Sequence, residues 1–327
     1  MSMPLWSKRL AWIFKLLFFL ASCWLIYGHL KSEISESGSV FFGQHSAVSS
    51  LNGSWLILTL FLALLNWFAE AVKWRYIVSP LEQVRLITAF KAFFNGTAVS
   101  LFTPNRSGEF AGRILYLKGG NRIRGAFLTF IGSTAQLLVT VQAGLLAFVI
   151  LAPLLNTGLF PSEGITTVLA LLLFIAATWG WLRMPDLVGF LQKIRLIGNW
   201  RSDLQVWKEV RKSTMLIVWG MSCIRYVVFI CQQYCIFRFL SYPVPLDIVA
   251  LYSALSFLLI SVIPSIALSE LGVRGGVTVS LFGLAGVPAS IVLAATILLW
   301  SVNVAQPALF GAFSVFFMKP GKASSSA

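Results

Sequence analysis

The sequence predicts an all-α, polytopic membrane bundle. Three observations predict it: 58% of residues are hydrophobic against 11% charged, the mean hydropathy is +0.84, and several apolar runs are long enough to cross a bilayer. A water-soluble domain carries about a quarter charged residues, so a soluble reading is excluded. The formal charge of +14, in so apolar a chain, marks loop orientation and not a nucleic-acid surface. Membrane lipids are the partners that this composition announces.

A helix crossing about 30 Å of hydrocarbon needs about 20 mostly apolar residues, because its backbone must satisfy its own hydrogen bonds where water is absent. Six stretches qualify: Leu10 to Leu30, Trp55 to Val78, Ala126 to Leu154, Thr166 to Leu182, Met215 to Leu240 and Ser290 to Phe317. The first follows Lys8 and Arg9 as a signal peptide would, but its apolar run continues through Trp24 and Tyr27, so an uncleaved anchor is expected. Two further stretches are broken. Leu86 to Phe102 is interrupted by Lys91, Asn95 and Gly96 and stopped by Pro104; Val249 to Val287 is interrupted by Pro264, Glu270, Arg274 and Gly275-Gly276.

Short loops rich in Lys and Arg stay cytoplasmic. Lys8, Arg9 and Lys15 place the N-terminus inside, and Lys319 with Lys322 does the same for the C-terminus. Basic residues flank the first broken stretch on both sides, with Lys73, Arg75 and Arg85 before it and Arg106, Arg113, Lys118, Arg122 and Arg124 after it. That stretch therefore starts and ends inside as a re-entrant hairpin, and by the same count the second starts and ends outside. The expected architecture is six spans plus two hairpins in a cell (inner or cytoplasmic) membrane, the alternative being eight full spans. Along the chain this divides into an anchor and outer loop (1–54), a first repeat (55–154), a connecting span with a basic amphipathic segment from Met184 to Arg211 (155–214), a second repeat (215–317) and a tail (318–327).

The two broken stretches share a pattern. Pro104 is followed by Glu109 and Arg113, and Pro264 by Glu270 and Arg274, each a Glu-x-x-x-Arg whose charges share one helix face. Asn66, Glu70 and Lys73 precede the first, and Arg225, Gln232 and Gln233 precede the second; Gln136 and Gln142 follow the first, Asn303 and Gln306 the second. With opposite orientations these are inverted repeats, the architecture typical of secondary transporters.

The residues also resemble a known family. Lys73-Trp74-Arg75-Tyr76, Asn95 and the run Ser100 to Arg113, with Pro-x-Arg-x-Gly-Glu-x-x-x-Arg from Pro104 to Arg113, resemble the flippase-like transmembrane domain of lysyl-phosphatidylglycerol synthases. Ile263-Pro264 to Arg274 resembles that family's second signature. The resemblance runs from about Trp55 to Phe317 and implies a phospholipid or lipid-linked substrate moved between leaflets. This chain has Asn105 where the family usually has Gly, and Gly275 where it often has an acidic residue. The resemblance does not reach a soluble aminoacyl-transferase domain, so a separate lipid-modifying enzyme is the expected protein partner.

Each ionisable group inside a bilayer costs about 2.5 kcal/mol or more, so its presence needs a reason. Arg106, Glu109, Arg113, Glu270 and Arg274 are the first substrate-binding candidates: arginines clamp phosphate and glutamates orient them. The competing reading is that each Glu-Arg pair only neutralises its hairpin. Glu70 and Arg225 come next, as cavity walls on opposite halves or as local partners of Lys73 and a backbone carbonyl. Asn66, Gln136, Asn303 and Gln306 suit interhelical hydrogen bonds. Cys23, Cys223, Cys231 and Cys235 lie in apolar runs, and His29 and His45 are the only histidines, so no catalytic, cofactor or metal constellation is expected. Beside the transporter reading stand an intramembrane lipid-modifying enzyme using Glu109 or Glu270 as base, and a non-transporting scaffold or accessory subunit.

Single cysteines at Asn105 and Ser265, in a cysteine-free background, are expected to react with an impermeant thiol reagent from opposite faces of sealed vesicles. Reaction of both from one face would remove the inverted arrangement.

Overall fold

The computed structural model describes residues 52–103, 107–155, 163–192, 201–263 and 267–314, together with helical Leu17, Leu20, Trp24 and Tyr27. The rest of the anchor from Leu10 to Leu30, the two proline tips with Arg106, and the side chain of Glu270 lie outside the described residues. Among the described residues every regular element is helical.

Helix α1 (Gly53–Val78) leads to a hairpin of α2 (Leu86–Ser100) and α3 (Gly108–Ile114), followed by α4 (Arg122–Leu155) and α5 (Glu163–Leu182). Helix α6 (Lys212–Phe239) leads to a second hairpin of α7 (Leu246–Val262) and α8 (Ala267–Leu284), then α9 (Ala289–Trp300), a π-helical segment (Ser301–Ala305) and α10 (Gln306–Ser314). Five described stretches are long and apolar enough to cross a membrane: Gly53–Val78, Gly119–Pro153, Gly164–Leu182, Lys212–Phe239 and Ala289–Ser314. They coincide with five of the six spans expected from sequence.

The hairpin arms are unequal. Helix α2 has 15 residues and α3 has 7, or roughly 22 and 10 Å, far short of about 30 Å of hydrocarbon. Helices α7 and α8 have 17 and 18 residues, roughly 26 Å each, which approaches a full crossing.

Glycines let backbones meet in the first hairpin. A Cβ on Gly112 of α3 would lie 2.6 Å from the Gly96 Cα and 2.8 Å from the Asn95 carbonyl oxygen of α2. One turn earlier the Gly108 amide donates to Thr103 Oγ1 at 2.7 Å. The two arms thus close through a small-residue seam, the device that lets membrane helices pack closely.

Each hairpin also docks on the other half. Helix α2 packs on α10, and α7 packs on α4, while α1 and α6 face each other at the centre. Both contacts use glycine: a Cβ on Gly311 of α10 would overlap the Phe94 carbonyl, and one on Gly144 of α4 would overlap Leu258 of α7. Exchanging α1 with α6, α2 with α7, and α4 with α9–α10 therefore exchanges like packing for like.

Two apolar cores lie toward opposite ends of the long helices. One gathers Trp74, Ile77 and Val78 of α1, Leu128 and Ile131 of α4, and Met215 and Val218 of α6. The other gathers Ala147 and Leu151 of α4, Ile236 and Phe237 of α6, and Val249, Phe282 and Ile291. Between them the helices carry polar residues. Helix α5 stands at the edge, where Leu171, Leu172, Leu173 and Ile175 are exposed as lipid-facing residues would be.

The π segment has a local cause. Pro307 lacks an amide hydrogen and its ring crowds the carbonyl four residues back, that of Asn303, so the ladder widens over Ser301–Ala305. At the ends of α6 and α8, Tyr242 N donates to the Phe237 carbonyl and Val287 N to the Phe282 carbonyl, both at 3.1 Å. These are Schellman closures, with Ser241 (φ 56°) and Gly286 (φ 74°) in the left-handed position.

Of the expected amphipathic segment from Met184 to Arg211, residues 193–200, with Ile194, Leu196 and Ile197, lie outside the described residues. Its described part is a series of short turns, Met184–Leu187, Val188–Leu191, Arg201–Leu204 and Val206–Glu209. Val188, Leu204, Val206 and Trp207 are buried in the first core, and Trp207 Nε1 donates to the Phe127 carbonyl of α4 at 2.8 Å. Leu187 and Phe190 of the same segment are exposed.

Replacing Gly112 or Gly311 by Ala should lower stability by about 1–3 kcal/mol, since backbone atoms cannot rotate away from the new methyl. Gly132, with open space beside it, should tolerate Ala, and detergent melting of the three variants checks the contrast.

Candidate functional site

The polar middle layer is organised around Glu70. Its position on α1 places Asn66, Glu70 and Lys73 at i, i+4 and i+7, one stripe facing α6 and the hairpin rather than lipid. All three are buried. Glu70 Oε1 accepts from Arg113 Nη1 at 2.6 Å; Oε2 accepts from Lys73 Nζ at 2.9 Å and from Arg225 Nη1. One carboxylate therefore binds three cations from three helices: α1, α3 and α6.

Each arginine is held further. Arg113 also pairs with Glu109 one turn back on α3, and its guanidinium carbon lies 5.8 Å from the Phe93 ring centroid. Arg225 donates through Nε to Asn66 Oδ1 at 2.8 Å and through Nη1 to Gln136 Oε1 at 3.2 Å, with Phe229 at 5.9 Å. Asn66 Nδ2 donates to Asn303 Oδ1 at 2.9 Å, in the π segment. The network thus runs from α3 through α1 and α6 to the π segment, and it includes residues of both halves.

These groups border a cavity of about 280 Å³. The first half contributes Asn66, Trp67, Glu70 and Lys73 from α1, Phe93, Thr97 and Ser100 from α2, Glu109 from α3, and Ser133 and Gln136 from α4. The second contributes Arg225, Phe229 and Gln233 from α6, Phe257 and Ile260 from α7, Arg274 and Thr278 from α8, and Thr296, Trp300 and Asn303 beyond. Thr278 and Thr296 share a hydrogen bond of 2.9 Å that joins α8 to α9. Among the described side chains the cluster holds four cations, Lys73, Arg113, Arg225 and Arg274, against two carboxylates, Glu70 and Glu109. Such a site favours an anion with polar groups around it.

Five sequence candidates therefore converge: Glu70, Glu109, Arg113, Arg225 and Arg274. Their roles differ. Arg113 is held through both Nη atoms by two carboxylates behind the cavity wall and positions Glu70 and Glu109, whereas Glu70, Glu109, Arg225 and Arg274 line the space itself. Arg106 and the Glu270 side chain lie outside the described residues. Asn66, Gln136 and Asn303 do join helices, as their amide chemistry implied, but they do so at the cavity wall around Arg225. Gln142, by contrast, bridges Thr178 of α5 and Trp219 of α6 away from the cavity.

Three contributions lay beyond the sequence reading. Lys73 counted there as a local partner of Glu70 and as a basic residue marking the inner side, yet it is buried beside Glu70; its spacing from Asn66 was the available signal. Gly108 and Gly112 form a Gly-x-x-x-Gly inside the first signature, readable as a packing seam. Thr97, Ser100, Thr278 and Thr296 carry no such signal, because an isolated Ser or Thr in an apolar helix usually bonds its own backbone, as these do.

A charged, bridged cavity between helical halves defines a polytopic membrane protein with a buried polar binding space. The profile of the lysylphosphatidylglycerol synthase TM region matches residues 44–311, and the chain belongs to that family. No single curated protein matches it. The family association assigns the chain a role connected with membrane lipids.

Glu70→Gln should destabilise the fold by about 3–5 kcal/mol, because it leaves Lys73, Arg113 and Arg225 buried without their shared counter-ion. Arg124→Gln, which breaks the exposed pair with Glu209, should cost about 0–1 kcal/mol. Unfolding in detergent monitored by tryptophan fluorescence separates the two.

Proposed function

We propose that this chain is a flippase-like transporter that moves an anionic phospholipid or lipid-linked headgroup between leaflets of a cell membrane. The observation that carries the reading is the cavity shared by both halves, where cations outnumber carboxylates among the described side chains and Glu70 ties α1 to Arg225 of α6. A headgroup phosphate entering there competes with Glu70 for the Arg225 guanidinium, and exchange of that partner lets the halves separate on one side at a time.

The reciprocal docking of each hairpin on the opposite half supports inverted repeats over 55–154 and 215–317, with the hairpins re-entrant from opposite faces. In this arrangement both termini are cytoplasmic, as the basic loops require. The chain acts on lipid position and makes no covalent bond; it works beside a separate lipid-modifying enzyme.

In vesicles carrying a fluorescent anionic phospholipid, the reconstituted protein should move label between leaflets. Arg225→Gln and Arg274→Gln should slow that movement by roughly 10–100-fold, the worth of a charge-assisted hydrogen bond. Unchanged movement in both variants, with parental melting, would remove the proposed mechanism.

A further inference from the structure

An apolar groove of about 720 Å³ opens on the outside of the bundle next to the charged cavity. It lies between Phe61, Leu64 and Phe68 of α1, Phe90 and Phe94 of α2, and Phe310 of α10. Its volume falls within the range of about 300–1,000 Å³ typical of small-molecule sites. Trp67 lines both this groove and the cavity, so a single side chain partitions them. The indole sits edge-on to Phe94 at 5.7 Å and to Phe310 at 6.1 Å between ring centroids. It is buried, and among the described residues its N–H has no hydrogen-bond partner.

We propose that the groove holds an acyl chain of the lipid whose headgroup occupies the cavity, with the Trp67 N–H meeting the ester region between them. This rests on the transport reading for the headgroup and adds the site for the tail. The occupant must be anionic and polar at one end and hydrocarbon at the other, because a cation-rich space and a wholly apolar groove meet at one residue. Burying an N–H without a partner is costly, and a neutral donor at that boundary suits the ester carbonyl of a glycerophospholipid. Annular lipid of any kind would fill the groove without using either the donor or the neighbouring charge.

The test uses phosphatidylglycerol with a diazirine at the end of one acyl chain, as a minor component of phosphatidylethanolamine vesicles holding the protein. After irradiation, labelled peptides are mapped by mass spectrometry. Label should concentrate on residues 61–68, 90–94 and Phe310, and unlabelled phosphatidylglycerol should compete it away. Leu64→Trp fills the groove at an exposed position and should reduce the label at least 10-fold without affecting folding; Trp67→Phe keeps an aromatic ring but removes the N–H and should weaken competition roughly 5–10-fold, one neutral hydrogen bond.

Label as strong on α5 as in the groove, or unchanged by Leu64→Trp, would overturn the site and leave annular lipid only. Equal labelling by the phosphatidylcholine analogue would overturn its link to the charged cavity. Saturable labelling in a protein that moves no lipid would uphold the site and remove the transport reading, whereas lipid movement with unsaturable labelling would do the reverse.

Discussion

The Glu70 carboxylate, set about two thirds of the way along α1 and contacted by Lys73, Arg113 and Arg225, is the interaction on which the remaining structure depends. Ions taken out of water lose several kcal/mol of hydration apiece, and only close, well-satisfied pairing offsets the loss. Here the offset requires α1, α3 and α6 to sit where they do, since no pair of these helices supplies all the partners. The cluster is consequently weak evidence for stability as such and strong evidence for a specified arrangement. Apolar cores flank it on both sides along the long helices.

Around this node, packing is reciprocal. The first hairpin leans on α10 through Gly311 and the second on α4 through Gly144, so neither half is complete alone. The π segment adds a local allowance: Pro307 loosens the helix beside Asn303, whose side chain reaches Asn66 and through it Arg225. Wide helical turns recur at functional sites for this reason, because they free a carbonyl and re-aim a side chain.

The chemistry of the cavity follows from its composition more than from any single residue. Hydroxyls from Thr97, Ser100, Thr278 and Thr296 lie near cations of both halves, with aromatic rings of Trp67, Phe93 and Phe229 between them. Charge, neutral polar groups and apolar wall thus share one space. That mixture matches an amphiphile, and membership of the lysylphosphatidylglycerol synthase TM family places the chain among proteins concerned with membrane lipids.

Much of this was legible in the residues themselves. Five long helices ended within a few residues of the boundaries that apolar run length predicted, since the bilayer imposes one length on every crossing backbone. Glu70, Glu109, Arg113, Arg225 and Arg274 stood out because ionised side chains in apolar runs are too costly to be incidental. Which of them bind each other was not legible: Glu70 and Arg225 are separated by more than half the described chain, and sequence spacing specifies only neighbours on one helix. Hence the i, i+4 pair of Glu109 and Arg113 was readable, whereas the Glu70 node, the backing role of Arg113 and the Trp67 partition came from tertiary packing. Local sequence determined the helices and their costly charges; only the fold decided their partners, because partner choice depends on contacts between helices remote in the chain.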